Sequence, residues 1–389
     1  MGKYGEIPVS EYTGVPEISI PLYTVQDGEL SLPLSLTYHA SGIKVAQEAT
    51  WVGLGWDLQA GGCINRVVSG SYDKEYTVNT AWVDWEKFFS QDNMPFVTFG
   101  DNSVWGGVQE NPNTIYYKPS LYQDLSWGMG EPDIFQVYVC GHSFAFILHP
   151  NTGEPMLVGN NCRGYRVEAM DSYNSSWKIT DTEGIQYLFE QDGAEEMTGS
   201  GLNYITSWFL TAVVHPQKGR IDLEYETEGN LLMRLQPSLY QENVEAEYVS
   251  SIVTSGSGTS AGWPSTELLG VHSPLLYENS MVQKKYLKSI KAGLARVDFY
   301  KSSRQDIEGY SRKLDSIVVY NTYAAEEAVR HIAFSYDYYQ YTNKGGDYMN
   351  DKGNVPANDY RRKRLKLESV SVNDELYSFE YDDTPLPYK

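Results

Sequence analysis

The sequence predicts an all-β protein made predominantly of antiparallel sheets built from consecutive β-hairpins. Two observations favour this class. Apolar and polar residues alternate over many short runs, and one hairpin-like pattern returns four times in the second half of the chain. The composition agrees, because the 389 residues include 32 Tyr, which suit strands, and 34 Gly and 17 Pro, which suit turns. We expect few short helices, with 83–90 and 324–329 as the best candidates.

The N-terminal strands show the alternation most clearly. The runs 18–22 and 30–38 both alternate with period two, which places one face of each strand against a core. Asp27-Gly28 separates the two runs and predicts a hairpin turn. Pro21 and Pro33 cannot donate to a ladder, so they indicate edge positions or bulges.

The repeated pattern reads Leu-x-x-(Val/Ile), then a turn or a longer loop, then apolar-x-apolar-x-Tyr. In chain order its copies are Leu210 and Val213 with Ile221, Leu223 and Tyr225; Leu287 and Ile290 with Val297, Phe299 and, one residue early, Tyr300; Leu314 and Ile317 with Ile332, Phe334 and Tyr336; and Leu367 and Val370 with Tyr377, Phe379 and Tyr381. A recurring strand-turn-strand unit predicts hairpins that add successively to one growing sheet.

Two regions follow from this pattern. Residues 1–200 are expected to form an N-terminal β domain, which holds a glycine–tryptophan block and an irregular insertion at about 81–130. Residues 201–389 are expected to form the hairpin-repeat region, with long loops at about 230–284 and 344–360. Loops of this length usually carry function or join separate units.

The glycine–tryptophan block is the most distinctive stretch. It reads Trp51-Val52-Gly53-Leu54-Gly55-Trp56, and Gly61-Gly62 follows shortly afterwards. Glycines beside tryptophans let the backbone pass close to large rings or adopt positive φ. We favour a structural corner in which Trp51 and Trp56 anchor a sheet over a ligand-stacking site, because buried Trp mainly serves packing.

Charge and cysteine content exclude several classes of partner. The net charge of −21 argues against nucleic acid or an anionic membrane surface, and no run approaches the roughly 18 apolar residues of a membrane span. The three cysteines, Cys63, Cys140 and Cys162, give no disulfide framework and no metal-ligand spacing. Cys140 and Cys162 could face each other across adjacent strands, but small buried thiols are the favoured interpretation.

No catalytic motif stands out. The sequence has no Gly-x-Ser-x-Gly elbow, no His-x-x-x-His pair and no phosphate-binding loop, so we expect no cofactor, no metal and no enzymatic activity. Aromatic residues in irregular segments are the best candidates for ligand binding, since function concentrates on loops. These residues are Trp82, Trp85, Trp105, Trp127 and Trp263.

Several blocks resemble a known family. The run Pro33-Leu34-Ser35-Leu36-Thr37-Tyr38, continuing to the glycine–tryptophan block, resembles the N-terminal region of RHS/YD-repeat proteins from Bacteroidetes. It is also distantly similar to the leading segment of insecticidal toxin-complex B-type subunits. Further similar blocks are Glu131-Pro132-Asp133-Ile134-Phe135, Trp177-Lys178-Ile179-Thr180-Asp181 and Arg364-Leu365-Lys366-Leu367-Glu368-Ser369-Val370. The resemblance covers nearly the whole chain.

The resemblance implies an RHS-like curved or open-shell architecture. In that family, hairpin repeats wind into a hollow shell around a C-terminal effector, and the members are generally exported or displayed on the cell surface. This chain lacks the long tyrosine–aspartate repeat run, the self-cleaving aspartate motif and the effector. We therefore expect a non-enzymatic, exported structural or interaction protein that is the leading segment of such a shell, with a short stand-alone relative of the family as the other possibility.

Two alternatives stay open. The first is a cell-surface module that binds a glycan or a protein through exposed aromatic loops. The second and weaker alternative is a polysaccharide hydrolase, which only the abundance of carboxylates and aromatic residues supports. The sequence decides neither the ligand nor the oligomeric state.

Overall fold

The computed structural model describes residues 14–44, 47–68, 96–97, 116–117, 132–149, 153–159, 162–171, 174–190, 194–199, 204–234, 279–307, 309–323, 327–340, 360–373 and 375–382. These residues form antiparallel β-sheets, so the predicted all-β class is confirmed. Their helical content is one 3₁₀ turn, Tyr360–Arg362, and no helix among them is long and apolar enough to cross a membrane. The helix expected at 83–90 lies outside the described residues.

The strands carry the labels β1 to β22 in chain order. Their bounds are β1 Glu17–Asp27, β2 Leu30–His39, β3 Trp56–Gln59, β4 Gly62–Val67, β5 Phe96–Val97, β6 Tyr116–Tyr117, β7 Ile134–Val139, β8 His142–Leu148, β9 Pro155–Val158, β10 Arg166–Ala169, β11 Trp177–Thr180, β12 Gln186–Phe189, β13 Glu195–Gly199, β14 Tyr204–Phe209, β15 Ala212–Val214, β16 Arg220–Arg234, β17 Asn279–Ala292, β18 Ala295–Ser303, β19 Arg312–Asn321, β20 Glu327–Gln340, β21 Lys363–Val372 and β22 Glu375–Ser378.

Two local expectations need correction. The helix expected at 324–329 is wrong over 327–329, because these residues begin β20 and pair with β19. β16 and β17 also run further into the connection at 230–284 than the sequence indicates, since residues 230–234 pair with 279–283. In both places the ladder formed with a neighbouring strand outweighs local propensity.

β1, β2 and β3 form a small antiparallel sheet. The expected hairpin turn is present, because Asp27 pairs with Leu30 and Gly28 has a φ of +62°. β1 is an edge strand whose register shifts between Pro21 and Tyr23, which agrees with the bulge that Pro21 indicates. One face of this sheet, including Leu22 and Leu36, joins the main hydrophobic core.

The large sheet branches at β17. Along its whole length β17 pairs with β16, while its other side pairs first with β13 and then with β18. One branch runs from β16 through β15, β12 and β11 to β10, and another from β13 through β14, β4, β7 and β8 to β9. Cα atoms of β9 and β10 come within 8 Å of each other, so these two branches nearly close a ring.

Large aromatic side chains fill the interior of this ring. Phe135 stacks on Phe146 at 4.8 Å between ring centroids, and Trp177 meets Trp208 edge-on at 6.1 Å. The indole nitrogen of Trp208 donates to the carbonyl of Ser175 at 2.9 Å. These four rings are fully buried, so they make a large contribution to the hydrophobic stabilisation of this branch.

The third branch runs from β17 through β18, β19, β20 and β21 to β22 and holds three copies of the repeat, while the first copy lies on β15 and β16. β15–β16, β17–β18, β19–β20 and β21–β22 are consecutive antiparallel hairpins, one for each copy of the pattern. In every copy the Val or Ile of the first half lies directly opposite the first residue of the second half. The pairs are Val213 with Ile221, Ile290 with Val297, Ile317 with Ile332, and Val370 with Tyr377. The repeat is therefore a series of cross-strand pairs that face the core.

A β-bulge explains the odd spacing of Leu-x-x-(Val/Ile). Residues three apart on a regular strand point to opposite faces, yet Leu287 and Ile290 are both buried. The ladders that join one hairpin to the next skip a single residue in the same place, namely Lys288, Asp315 and Glu368. The extra residue restores the leucine to the core face.

In three of the four copies the last position of the pattern donates a hydrogen bond to a backbone carbonyl of its own copy, whereas the buried hydroxyl of Tyr336 in the third copy has no hydrogen-bond partner among the described residues. Tyr225 Oη donates to Leu210 O at 3.0 Å, and Tyr381 Oη donates to Leu367 O at 2.6 Å. In the second copy Lys301 does the same, with Nζ 3.0 Å from Leu287 O. Tyr300 is therefore not the equivalent residue; it is 47% exposed and its hydroxyl bonds to another tyrosine on the outer surface.

Candidate functional site

A cleft of about 760 Å³ opens where the small sheet, the ring and the repeats meet. We call it the central cleft. Its walls come from the β3–β4 connection over 57–65, the tip of the β7–β8 hairpin over 138–143, and residues 284–287 of β17. Glu196 of β13 and Phe209 of β14 also line it, together with Ala49, Thr50, Trp51, Tyr225, Arg304, Ile307 and Ser311. The cleft therefore gathers residues that lie far apart in the chain.

The two tryptophans of the glycine–tryptophan block pack against different copies of the repeat. The ring of Trp56 lies 4.5 Å from that of Phe379 and 5.0 Å from that of Tyr38, and its nitrogen donates to Tyr381 Oη at 2.8 Å. The half-buried ring of Trp51, on the rim of the cleft, stacks on Phe299 at 6.3 Å. Both rings thus make contacts within the protein.

Close backbone approach accounts for the glycines of this block. A Cβ atom on Gly55 would come within 2.7 Å of the Tyr38 ring, and one on Gly62 within 2.4 Å of the Tyr138 carbonyl. Gly53 and Gly61 have φ angles of +114° and +113°, which L-residues rarely adopt. Side chains at these positions would separate the block from the strands it contacts.

A buried ion pair holds the segment that precedes the block. Arg304 and Asp306 lie 2.6 Å apart, and both side chains are almost completely inaccessible. The Arg304 guanidinium also donates to the carbonyls of Thr50 and Ala49, at 2.7 and 3.2 Å. Asp306 accepts the backbone N–H of Leu365 at 2.8 Å. This cluster ties the N-terminal segment to the fourth copy of the repeat.

Two carboxyl groups in the central cleft are weaker acids than usual. Partial desolvation in the cleft raises the pKa of Asp57, although its side chain reaches solvent and hydrogen bonds from the Leu58 backbone and the Gln59 side chain partly offset the effect. Burial also raises the pKa of Glu196, against the opposing influence of Lys284 and Lys285. Both groups are therefore easier to protonate than exposed carboxyls.

The thiols in and around the cleft are poor nucleophiles. Burial, followed by the nearby charge of Asp57, raises the pKa of Cys63 to about 11. Burial raises the pKa of Cys140 to about 12. All three cysteines are free, and the Cys162 thiol donates to the carbonyl of Gly159 at 2.9 Å, so the possible Cys140–Cys162 pairing is absent. A protonated thiol neither attacks a substrate nor binds a metal well.

The central cleft offers hydrogen-bonding groups and two carboxyls. Among the residues that the structure describes, no group of three His, Cys, Asp or Glu side chains could hold a metal ion. The cleft lining also includes Tyr138, Asn65 and Ser143, which sequence reasoning did not single out. No motif signals these residues, because they converge only through the pairing of β4, β7 and β8.

The aromatic residues proposed as ligand-binding candidates, Trp82, Trp85, Trp105, Trp127 and Trp263, all lie outside the described residues. Their assignment stays a prediction. Within the described part of the chain, the central cleft is one place where polar and aromatic side chains converge.

Replacing Glu196 by Gln is expected to stabilise the protein at pH 8. The pKa of Glu196 in the folded protein is raised above 4.5, its usual value. The protonated carboxyl therefore contributes its full share of the free energy of unfolding below about pH 4.5. That contribution is lost as the pH rises through the folded-state pKa. Glutamine mimics the neutral form and avoids this loss. Urea unfolding at pH 8 and pH 4 measures the effect, which should be absent at pH 4.

Glu224→Gln is the matched control with the opposite sign. A hydrogen bond from Lys291 lowers the pKa of Glu224, so its charged form stabilises the fold above the unfolded pKa. This variant should therefore lose stability at pH 8. Destabilisation by Glu196→Gln at pH 8 would contradict the expected burial of that carboxylate.

Comparisons with known proteins give no family assignment. No protein-family model matches the chain, and no curated protein matches it. Twelve solved chains do match. One is the N-terminal domain of the effector protein SpvB from Salmonella typhimurium strain LT2, with 12% identity and a TM-score of 0.39, covering 93% of this chain and 99% of that one.

Components of Tc toxins are also among the matches. The TcdB2–TccC3 structure has 12% identity and a TM-score of 0.41, and the Photorhabdus luminescens Tc holotoxin pore has 11% identity and a TM-score of 0.40. Each match covers 94% of this chain, which spans only 16% and 15% of those chains. A likeness this distant carries no conclusion about activity, and the Bacteroidetes source and YD repeats stay expectations.

Proposed function

We propose that this chain is an exported, non-enzymatic structural β-scaffold, the leading segment of an RHS-like shell. One observation carries the proposal: the residues that recur in the sequence pair strands with each other and fill the core. In all four copies the recurring apolar residues pair across a hairpin and face one core, and in three copies the last position caps a carbonyl. The family resemblance of the sequence supports the same role.

The glycine–tryptophan block supports the proposal by joining the N-terminal strands to the repeats. Leu314 N donates to Trp51 O at 2.9 Å, and Leu54 N donates to Leu365 O at 2.8 Å. With the ring contact between Trp51 and Phe299, the block therefore touches the second, third and fourth hairpins. The proposal keeps residues 1–200 and 201–389 as successive segments of the chain, connected through this block.

Location and assembly in the native host test the proposal. A tagged chain should be recovered outside the cytoplasm and in a complex whose mass exceeds that of the chain alone. Recovery from the cytoplasm as a free monomer would contradict it.

A polysaccharide hydrolase is the alternative that the raised pKa values of Asp57 and Glu196 favour. Screening for release of reducing sugar from polysaccharides, with wild type and with Asp57→Asn and Glu196→Gln, separates the two. We expect no release. Release that both substitutions abolish, and that the control Glu224→Gln leaves unchanged, would replace the scaffold proposal by the hydrolase.

A further inference from the structure

The outer face of β14, β4, β7, β8 and β9 has an unusual composition, and we call it the Tyr138 face. Strand register aligns two rows of side chains across it. The first row is Phe209, Cys63, Tyr138 and Ser143, and the second is Ser207, Asn65, Gln136, Ala145 and Val158. The residues between them along each strand, such as Ile64 and Val137, are buried in the ring.

Neither row of the Tyr138 face carries a formal charge. Outer faces elsewhere carry ion pairs across or along strands, as between Lys178 and Glu168 at 2.9 Å, or Arg296 and Asp298 at 3.1 Å. The chain as a whole has a net charge of −21. The two rows themselves therefore suit a neutral ligand, whereas the formal charges nearby, those of Asp57, Glu196, Lys284, Lys285 and Arg304, line the adjoining central cleft.

The Tyr138 face combines apolar contact area with hydrogen-bonding groups. Tyr138 is 46% exposed, and Val67, Ile134 and Val158 also present apolar surface to solvent. The side-chain amides of Asn65 and Gln136 lie directly opposite each other on neighbouring strands. Each side-chain amide both donates and accepts hydrogen bonds, so the face can satisfy the hydroxyl groups of a ligand.

Tyr138 separates two depressions. On one side is the central cleft of about 760 Å³, whose lining includes Tyr138, Ser143 and Asn65. On the other side a depression of about 480 Å³ is lined by Gln136, Tyr138, Ser143, Phe144, Ala145, Val158 and Gly159. Both volumes lie in the range of about 300–1,000 Å³ typical of small-ligand sites. An elongated ligand could occupy both depressions and cross the tyrosine ring.

We propose that the Tyr138 face binds a neutral oligosaccharide, with one sugar ring stacked on Tyr138. A sugar ring has an apolar C–H face and a rim of hydroxyl groups, which matches an aromatic ring flanked by amides. An extended peptide fits less well, because β-strand addition needs an open strand edge. β4, β7 and β8 are each paired on both sides. The inference does not depend on the scaffold proposal.

Calorimetric titration with neutral hexasaccharides tests this site. The probes are cellohexaose, xylohexaose, maltohexaose and mannohexaose, with a hexagalacturonate as the charged comparison. At least one neutral probe should bind to the wild-type chain. Tyr138→Ala should weaken that binding by about tenfold, a loss of roughly 1.4 kcal/mol in binding free energy.

Tyr323→Ala is the matched control, because Tyr323 is 86% exposed and belongs to neither depression. It should leave the affinity unchanged. Gln136→Ala should also weaken binding. It provides the test of the site if Tyr138→Ala does not fold. The proposal is overturned if no neutral probe binds at millimolar concentration, if only the charged probe binds, or if both site variants bind like wild type. Binding of a mixed-sequence peptide pool that Tyr138→Ala abolishes, in place of sugars, would also overturn it.

Discussion

Replacing Asp306 by Ala is expected to lower the free energy of unfolding by about 3–5 kcal/mol. Asp306 has no accessible surface, and its carboxylate binds both the Arg304 guanidinium and the backbone N–H of Leu365. The substitution leaves a buried cation without its counter-charge. It also removes the acceptor that joins Leu365 to the N-terminal segment. Urea denaturation at neutral pH measures the loss.

Asp298→Ala is the control for this substitution. Asp298 pairs with Arg296 at 3.1 Å, and both side chains keep about a quarter of their surface accessible. Solvent screens such a pair, so its removal should cost less than about 1 kcal/mol. Equal losses in the two variants would show that the Arg304–Asp306 pair does not connect the segments as we describe.

Replacing Trp56 by Ala is expected to lower the free energy of unfolding by about 3–5 kcal/mol. Its ring is 2% exposed and contacts Tyr38 on β2 and Phe379 in the fourth repeat copy. The substitution opens a cavity between the small sheet and the repeats. It also removes the indole N–H that donates a hydrogen bond to the Tyr381 hydroxyl. Thermal and urea unfolding both report the change.

Two further variants separate packing from the hydrogen bond. Trp56→Phe keeps much of the aromatic contact and loses the indole N–H, so its loss should be smaller than that of Trp56→Ala. Tyr310→Ala removes an aromatic ring that is largely exposed and should change stability by less than about 0.5 kcal/mol. If Trp56→Ala resembled Tyr310→Ala, the contact between the small sheet and the repeats would contribute little.

Periodicity predicts the strands and hairpins well, because alternation reports directly which face of a strand is buried. The four copies of the pattern, for example, correspond to four antiparallel hairpins. The branching of the sheet at β17 could not be predicted. It depends on Met197 pairing with Gln283, and such distant pairing leaves no local signal. In the second copy a lysine, Lys301, stands at the regular last position of the pattern and binds the Leu287 carbonyl, which a search for tyrosine misses.

The candidate site is much less predictable than the fold. The glycine–tryptophan block attracts attention as a motif, and its residues contact the repeats. Asp57, Tyr138 and Glu196 belong to no motif, and each looks like an ordinary strand or turn residue in the sequence. Only the convergence of β3, β7 and β13 around the central cleft gives them a shared environment.

The bulges between hairpins have a consequence for shape. A bulge bends its strand and increases the local twist, and here it recurs at Lys288, Asp315 and Glu368, once at each joint between successive hairpins. Because the bulge lies at the same place in each joint, we expect the sheet to bend in the same sense at every joint. Because each added hairpin brings its own bulge, whole hairpins could be gained or lost without redesigning the joints between the remaining ones.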